Sequence, residues 1–275
     1  LWIIEIPFVV ASLLMTISAF VLFLTIKENK VVEEMKDQLA EGERAAAIAD
    51  AVTDDGKMSK RNRNMLLAIL GAEALWFMAD NAIGTYIGNY VIYYLDSKSS
   101  ATMILTIIGG LASVVGFATA GYIADKIGRK WTVSSGLSLA FVAMLLMTFV
   151  KPGTEVVGEN GEKAFPIILY AIWVIKGYGM ALVHNCSFPM VVELCSSKQI
   201  GKFTGYYYAA SMSAQTLTPV LVGLILFRFK VWGALPVYAS VLLALSAAVF
   251  ILLVKNIKAI KLANAKGLEA LDAED

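Results

Sequence analysis

Glu73 and Asp80 place two carboxylates, seven residues apart, in an apolar run over residues 65–95. Seven residues is close to two helical turns, so both acids fall on nearly one helix face, with Asn81, Thr85 and Asn89 on a neighbouring face. An acid in such surroundings costs a few kcal/mol, about 3 at mid-bilayer, unless it meets a cavity, a counter-charge or a proton. A second run, 166–192, holds Lys176, His184 and Asn185, with Ser187, Pro189 and Glu193 near its end. Lys176 needs an anion or carbonyl, and either Asp80 or Glu73 can supply it. His184 is the chain's one histidine and titrates near neutrality; proton relay and hydrogen-bonded structure are both open to it. In a third run, 203–227, Thr204, Tyr208, Ser211, Gln215 and Thr218 recur at four, three, four and three residues as a polar stripe on one helix face. Beside Tyr206 and Tyr207 such a stripe suits sugars, with directional partners for hydroxyls and rings for apolar faces, or else knits helices together.

The elements that must position these groups are long apolar helices. The chain is 58% hydrophobic and 16% charged, too apolar for an ordinary domain with a wet surface, which makes it an all-α membrane protein. Apolar runs near 1–26, 65–95, 101–124, 131–150, 166–192, 203–227 and 235–254 give about seven transmembrane helices. Counting Lys and Arg puts 27–63, 125–130, 193–202 and the tail from Lys255 on the cytoplasmic side, and 96–100, 151–165 and 228–234 outside. Residues 27–63 read as a surface helix, with Val32, Met35 and Leu39 at helical spacing, then a turn at Asp54-Asp55-Gly56 and a basic anchor of Lys57, Lys60, Arg61 and Arg63. Ala112, Gly116, Ala120 and Ala124 form a small-residue ridge, and Gly84 with Gly88 a second close-approach site. Cys186 and Cys195 are too far apart along one helix for a disulfide. The formal net charge of +1 gathers in alternate loops, so no nucleic-acid partner is implied. The chain opens at Leu1 inside an apolar run, without a basic leader, and reads as a fragment.

Between two of the runs stands Gly121-Tyr122-Ile123-Ala124-Asp125-Lys126-Ile127-Gly128-Arg129-Lys130. Gly121 lets helix backbones approach, Gly128 turns a very short loop, Asp125 accepts bonds from an Arg or a helix N-terminus, and Lys126, Arg129 and Lys130 hold the loop at the cytoplasmic face. The pattern Gly-x-x-x-Asp-Lys-x-Gly-Arg-Lys resembles the signature loop of the major facilitator superfamily, in which it serves as a gating motif. That resemblance implies half of a twelve-helix fold plus the preceding helix: 1–26 as the sixth helix, 27–63 as the central cytoplasmic loop, 64–254 as the six-helix C-terminal half in two inverted triplets, and 255–275 as a cytoplasmic tail. The family's N-terminal half would then be a partner across the cavity.

The runs LWFMADNAIGTYIGNYVIYYL and GYGMALVHNCSFPMVVELCSSKQIGKFTGYYYAASMSAQTLTPVLVGLIL, with GYIADKIGRK, resemble the glycoside–pentoside–hexuronide branch and its sucrose-transporter-like members. The likeness implies a multi-pass cell-membrane symporter of a sugar or glycoside, coupled to protons or sodium, with no further cofactor and a cytoplasmic C-terminus. Asp80, Glu73, Asn81, Thr85, Lys176, Asn185, Tyr208, Ser211 and Gln215 are the candidate substrate and coupling residues. A solute receptor that does not transport and a carrier of a non-sugar molecule share these features. An enzyme does not fit, since no nucleophile–base set and no phosphate-cradling glycine loop stands in the chain.

Overall fold

A computed structural model describes residues 2–25, 60–97, 99–153, 156–157, 163–164, 167–192, 194 and 200–254. The surface helix and turn read in 27–63, the basic cluster's side chains at Lys57, Lys60 and Arg61, Glu193, Cys195 and the tail from Lys255 lie outside the described residues or side chains. Among the described residues seven helices follow one another: α1 (Trp2–Thr25), α2 (Lys60–Tyr93), α3 (Ser99–Ile127), α4 (Arg129–Thr148), α5 (Ile167–Val192), α6 (Ile200–Phe229) and α7 (Ala234–Leu253). In lipid every backbone polar group must be satisfied within the segment, and helices of this length do so. By length and composition five of them can cross a membrane: α2, α3, α4, α6 and α7. The 26-residue α5 carries Lys176 and His184 in its interior.

The chain divides into two compact units, Leu1–Lys57 and Met58–Asp275. In the first, α1 is apolar, its described side chains from Val9 to Leu24 are exposed, and Thr16 donates to the Ser12 carbonyl at 2.8 Å. In the second, α3 packs chiefly on α5, α4 on α5 and α7, and α2 on α7 and α6. Exchanging α2 with α5, α3 with α6 and α4 with α7 maps this contact pattern onto itself. All of these contacts run between the triplets α2–α4 and α5–α7, so the triplets pack against each other in a two-fold manner, as an inverted repeat allows. Trp76, Ile69 and Ile83 of α2, Leu137 and Met144 of α4 and Phe250 of α7 are fully buried between the helices. The outward face of α3 is instead a row of exposed Ile104, Ile107, Leu111, Val114 and Val115.

Close approach depends on glycines. A side-chain carbon on Gly136 would stand 2.5 Å from the Gly179 carbonyl oxygen, and one on Gly179 would stand 2.7 Å from that of Gly136, so α4 and α5 meet backbone to backbone. Gly177 meets the Gly109 carbonyl in the same way, and Gly116 packs on Ala181, joining α3 to α5. Of the small-residue ridge, Gly116 and Ala120 are therefore buried as expected. Among the described residues Gly84 is not a close-approach site: nothing lies within 4 Å of where its side chain would stand, and Gly88 meets the Thr102 methyl at 3.9 Å.

The segment expected to be a plain loop at 151–165 contains a small ladder, Val156–Val157 antiparallel to Lys163–Ala164, after a turn in which Gly153 has φ 81. The loop assigned to 125–130 shrinks to one residue. Asp125, Lys126 and Ile127 complete α3, Arg129 opens α4, and Gly128 alone turns the chain, at φ 87, a backbone region costly for other residues.

Candidate functional site

Asp80 is carried by the middle of α2 and Lys176 by the middle of α5, and the two meet: Lys176 Nζ lies 2.5 Å from Asp80 Oδ1. The ammonium approaches outside the usual hydrogen-bond directions, so charge holds the pair. The side chains are 18% and 24% exposed, leaving a polar opening beside a neutralised pair. His184, two turns further along α5, brings Nε2 to 3.9 Å from the other oxygen, Asp80 Oδ2. One carboxylate of α2 thus stands between two basic groups of α5. The imidazole is fixed edge-on against the Trp76 ring, centroids 4.6 Å apart, and against Phe77 at 5.6 Å. Trp76 and Phe77 stack on each other at 3.9 Å. These two rings escaped the sequence reading, although Trp76, four residues before Asp80, shares its helix face.

Glu73 does not join that group. It turns toward α6, is 1% exposed, and neither carboxyl oxygen has a hydrogen-bond partner among the described residues. A polar neighbour is the Tyr207 hydroxyl, placed too loosely for a bond of ordinary geometry. Tyr207 is itself bonded to Ser187 of α5, hydroxyl to hydroxyl at 2.8 Å, with both side chains buried. The sequence offered Tyr207 as a stacking ring and Ser187 as a helix-end polar group, and no spacing within one helix links them.

The other candidates divide by exposure. Thr85 and Asn185 are exposed; Asn81 is half-buried and spends its amide on the Phe77 carbonyl at 2.9 Å. On the α6 stripe Tyr208 is half exposed and Thr204 and Gln215 are intermediate. Ser211 and Thr218 are buried, and Ser211 donates to the Tyr207 and Tyr208 carbonyls of its own helix at 3.1 and 3.2 Å. The stripe's members thus differ in exposure, and Ser211 is bonded within its own helix rather than across to a neighbour. Higher on α2, the Tyr86 hydroxyl donates to the Pro219 carbonyl of α6 at 2.6 Å, in space that only a glycine at 223 leaves. An open apolar groove of about 670 Å³ runs beside this contact along Pro219, Val220, Gly223 and Phe227, away from the charged pair.

At the turn around Gly128, Asp125 and Lys126 are exposed and Lys126 lies over the Tyr122 ring at 4.3 Å. Lys130 donates to the Ile251 carbonyl at 2.9 Å, so a cation of this turn caps the last turn of α7. Gly121 is exposed with nothing within 4 Å, so among the described residues it makes none of the close contact expected of it. The profile of the Major Facilitator Superfamily matches residues 65–271, which take in α2 from its second turn, α3 to α7 and most of the tail. The chain belongs to the major facilitator superfamily. Its members are membrane transporters, so this is a multi-pass membrane protein of a transporter family, and the turn is the one the sequence motif marks. No curated protein matches the chain. Among the described residues no group of three or more His, Cys, Asp or Glu is placed to hold a metal ion.

Proposed function

We propose that this major facilitator protein carries a sugar or glycoside across the cell membrane by cation-coupled symport, through alternating access. The observation that carries the reading is the Lys176–Asp80 pair, partly open and held between α2 and α5 in the interior of both helices. Charges at that depth are costly and belong to pathways for ions or polar solutes. The pair is neutral as it stands. A proton or sodium ion arriving at Asp80 replaces Lys176 as its counter-charge and frees the ammonium, so cation binding and the α2–α5 contact become one equilibrium. Ligands shift such an equilibrium only by binding its two states unequally, and Asp80 supplies that difference.

The open polar groups of α2, α5 and α6 suit a sugar. Thr85 and Asn185 are open donors and acceptors, and Tyr208 offers a half-exposed ring. The resemblance to the glycoside–pentoside–hexuronide branch supports the same class. In this reading the family's other six-helix half completes the cavity and the C-terminus lies in the cytoplasm. The test is uptake of labelled glycosides into sealed vesicles, with proton and sodium gradients imposed separately. Accumulation above the external concentration under one gradient is expected. Solute binding with no accumulation under either gradient would favour a receptor, and accumulation only of non-sugar solutes would overturn the substrate class.

A further inference from the structure

Glu73 has no part in that coupling scheme. It is 1% exposed in the interior of α2, and neither of its oxygens is hydrogen-bonded among the described residues. The charged and titratable groups on each helix around it are already engaged or distant. On its own helix the next acid is Asp80, about 10 Å along the axis and paired with Lys176. From α5, Lys176 and His184 both address Asp80, and Ser187 faces Tyr207. On α6, Lys202 stands near the Phe203 and Tyr206 rings, at 6.0 and 5.8 Å, and Arg228 is in the last turn. Helix α7 has no charged residue; its Ser246 hydroxyl is spent on the Ala72 carbonyl at 2.8 Å, beside Glu73. The charges of α3, Asp125 and Lys126, are exposed at its end. An ionised carboxylate buried without a counter-charge or donor costs several kcal/mol, whereas a carboxylic acid needs only an acceptor.

We propose that Glu73, Tyr207 and Ser187 form a second proton-binding site, separate from the Lys176–Asp80 pair. The proton binds one Glu73 oxygen. The acid O–H then donates to the Tyr207 oxygen, and Tyr207 donates to Ser187 across the 2.8 Å contact. When the proton leaves, both hydroxyls reverse: Ser187 donates to Tyr207, and Tyr207 donates to the carboxylate. A hydroxyl pair that can turn either way satisfies both states without moving a helix. The use of this proton to drive solute rests on the symport reading; the site itself does not.

Infrared difference spectra of the full chain in vesicles, recorded across a pH jump without solute, test the site. A carboxylic-acid carbonyl band is expected that Glu73→Gln abolishes, Asp80→Asn retains, and Tyr207→Phe shifts to higher frequency by removing the acceptor. The Tyr207→Phe shift decides the matter even if Glu73→Gln fails to fold. No such band in the unmodified protein, or a band unmoved by both substitutions at Glu73 and Tyr207, would overturn the proposal. In transport, Glu73→Gln is expected to lower proton-driven accumulation to its level without a gradient while solute exchange persists. A band that behaves as expected in a protein with neither proton- nor sodium-driven uptake would support the site and count against the symport reading.

Discussion

At the Lys176–Asp80 contact each side chain removes the other's cost of lying inside the membrane, so neither can be removed alone without exposing the other. Asp80→Asn leaves the Lys176 ammonium uncompensated, at about 3 kcal/mol for a cation near the bilayer centre. The double variant Asp80→Asn with Lys176→Met removes that charge as well. It is expected to unfold in detergent at a higher temperature than Asp80→Asn alone, with a coupling of at least about 1 kcal/mol between the sites. Additive losses would mean the pair is not formed. The need for such a pair is legible in the residue types, because a lysine in an apolar helix must find an anion. Its choice of Asp80 over Glu73 is not. The two acids share a face on α2, and only the packing of α5 and α6 against that face directs one to Lys176 and the other to Tyr207.

The helices themselves can be read closely from apolar runs, since a membrane permits few alternatives to a 20-residue helix. Their contacts cannot, because a glycine's partner lies on another chain segment. Gly179 and Gly136 face each other's backbone, while Gly110 of α3 has nothing within 4 Å. Gly179→Ala is therefore expected to destabilise the protein by about 1–3 kcal/mol through overpacking. Gly110→Ala should be neutral or gain up to about 1 kcal/mol from helix propensity. Thermal unfolding of the two variants side by side checks this, and equal effects would contradict the α4–α5 crossing. Gly128 shows the opposite case of legibility: a glycine between two helical patterns signals a tight turn, and its φ of 87 bears that out. The turn is nonetheless several residues shorter than the sequence suggests, since charges at 125–130 read as loop although both helix ends carry them.

For the whole molecule, the alternation of Lys and Arg between loops predicts which ends of the helices face the cytoplasm. In a variant with Cys186 and Cys195 replaced, a cysteine at the exposed Gly153 should react with an impermeant reagent from outside, and one at the exposed Lys202 only from the cytoplasm. Labelling of both from one side would break the order of spans. The two-fold packing between the helix triplets is a property of the assembled fold that no single run displays, and α2 and α5, the first helix of each triplet, meet at the charged pair. The proposed coupling requires that pair to change partners during the cycle. The direct measurement is labelled-glycoside uptake by Asp80→Asn in sealed vesicles, with proton and sodium gradients imposed separately. The expected result is loss of accumulation, and of stimulation by the coupling ion, while solute binding and exchange persist; accumulation with unchanged pH and sodium dependence would contradict it.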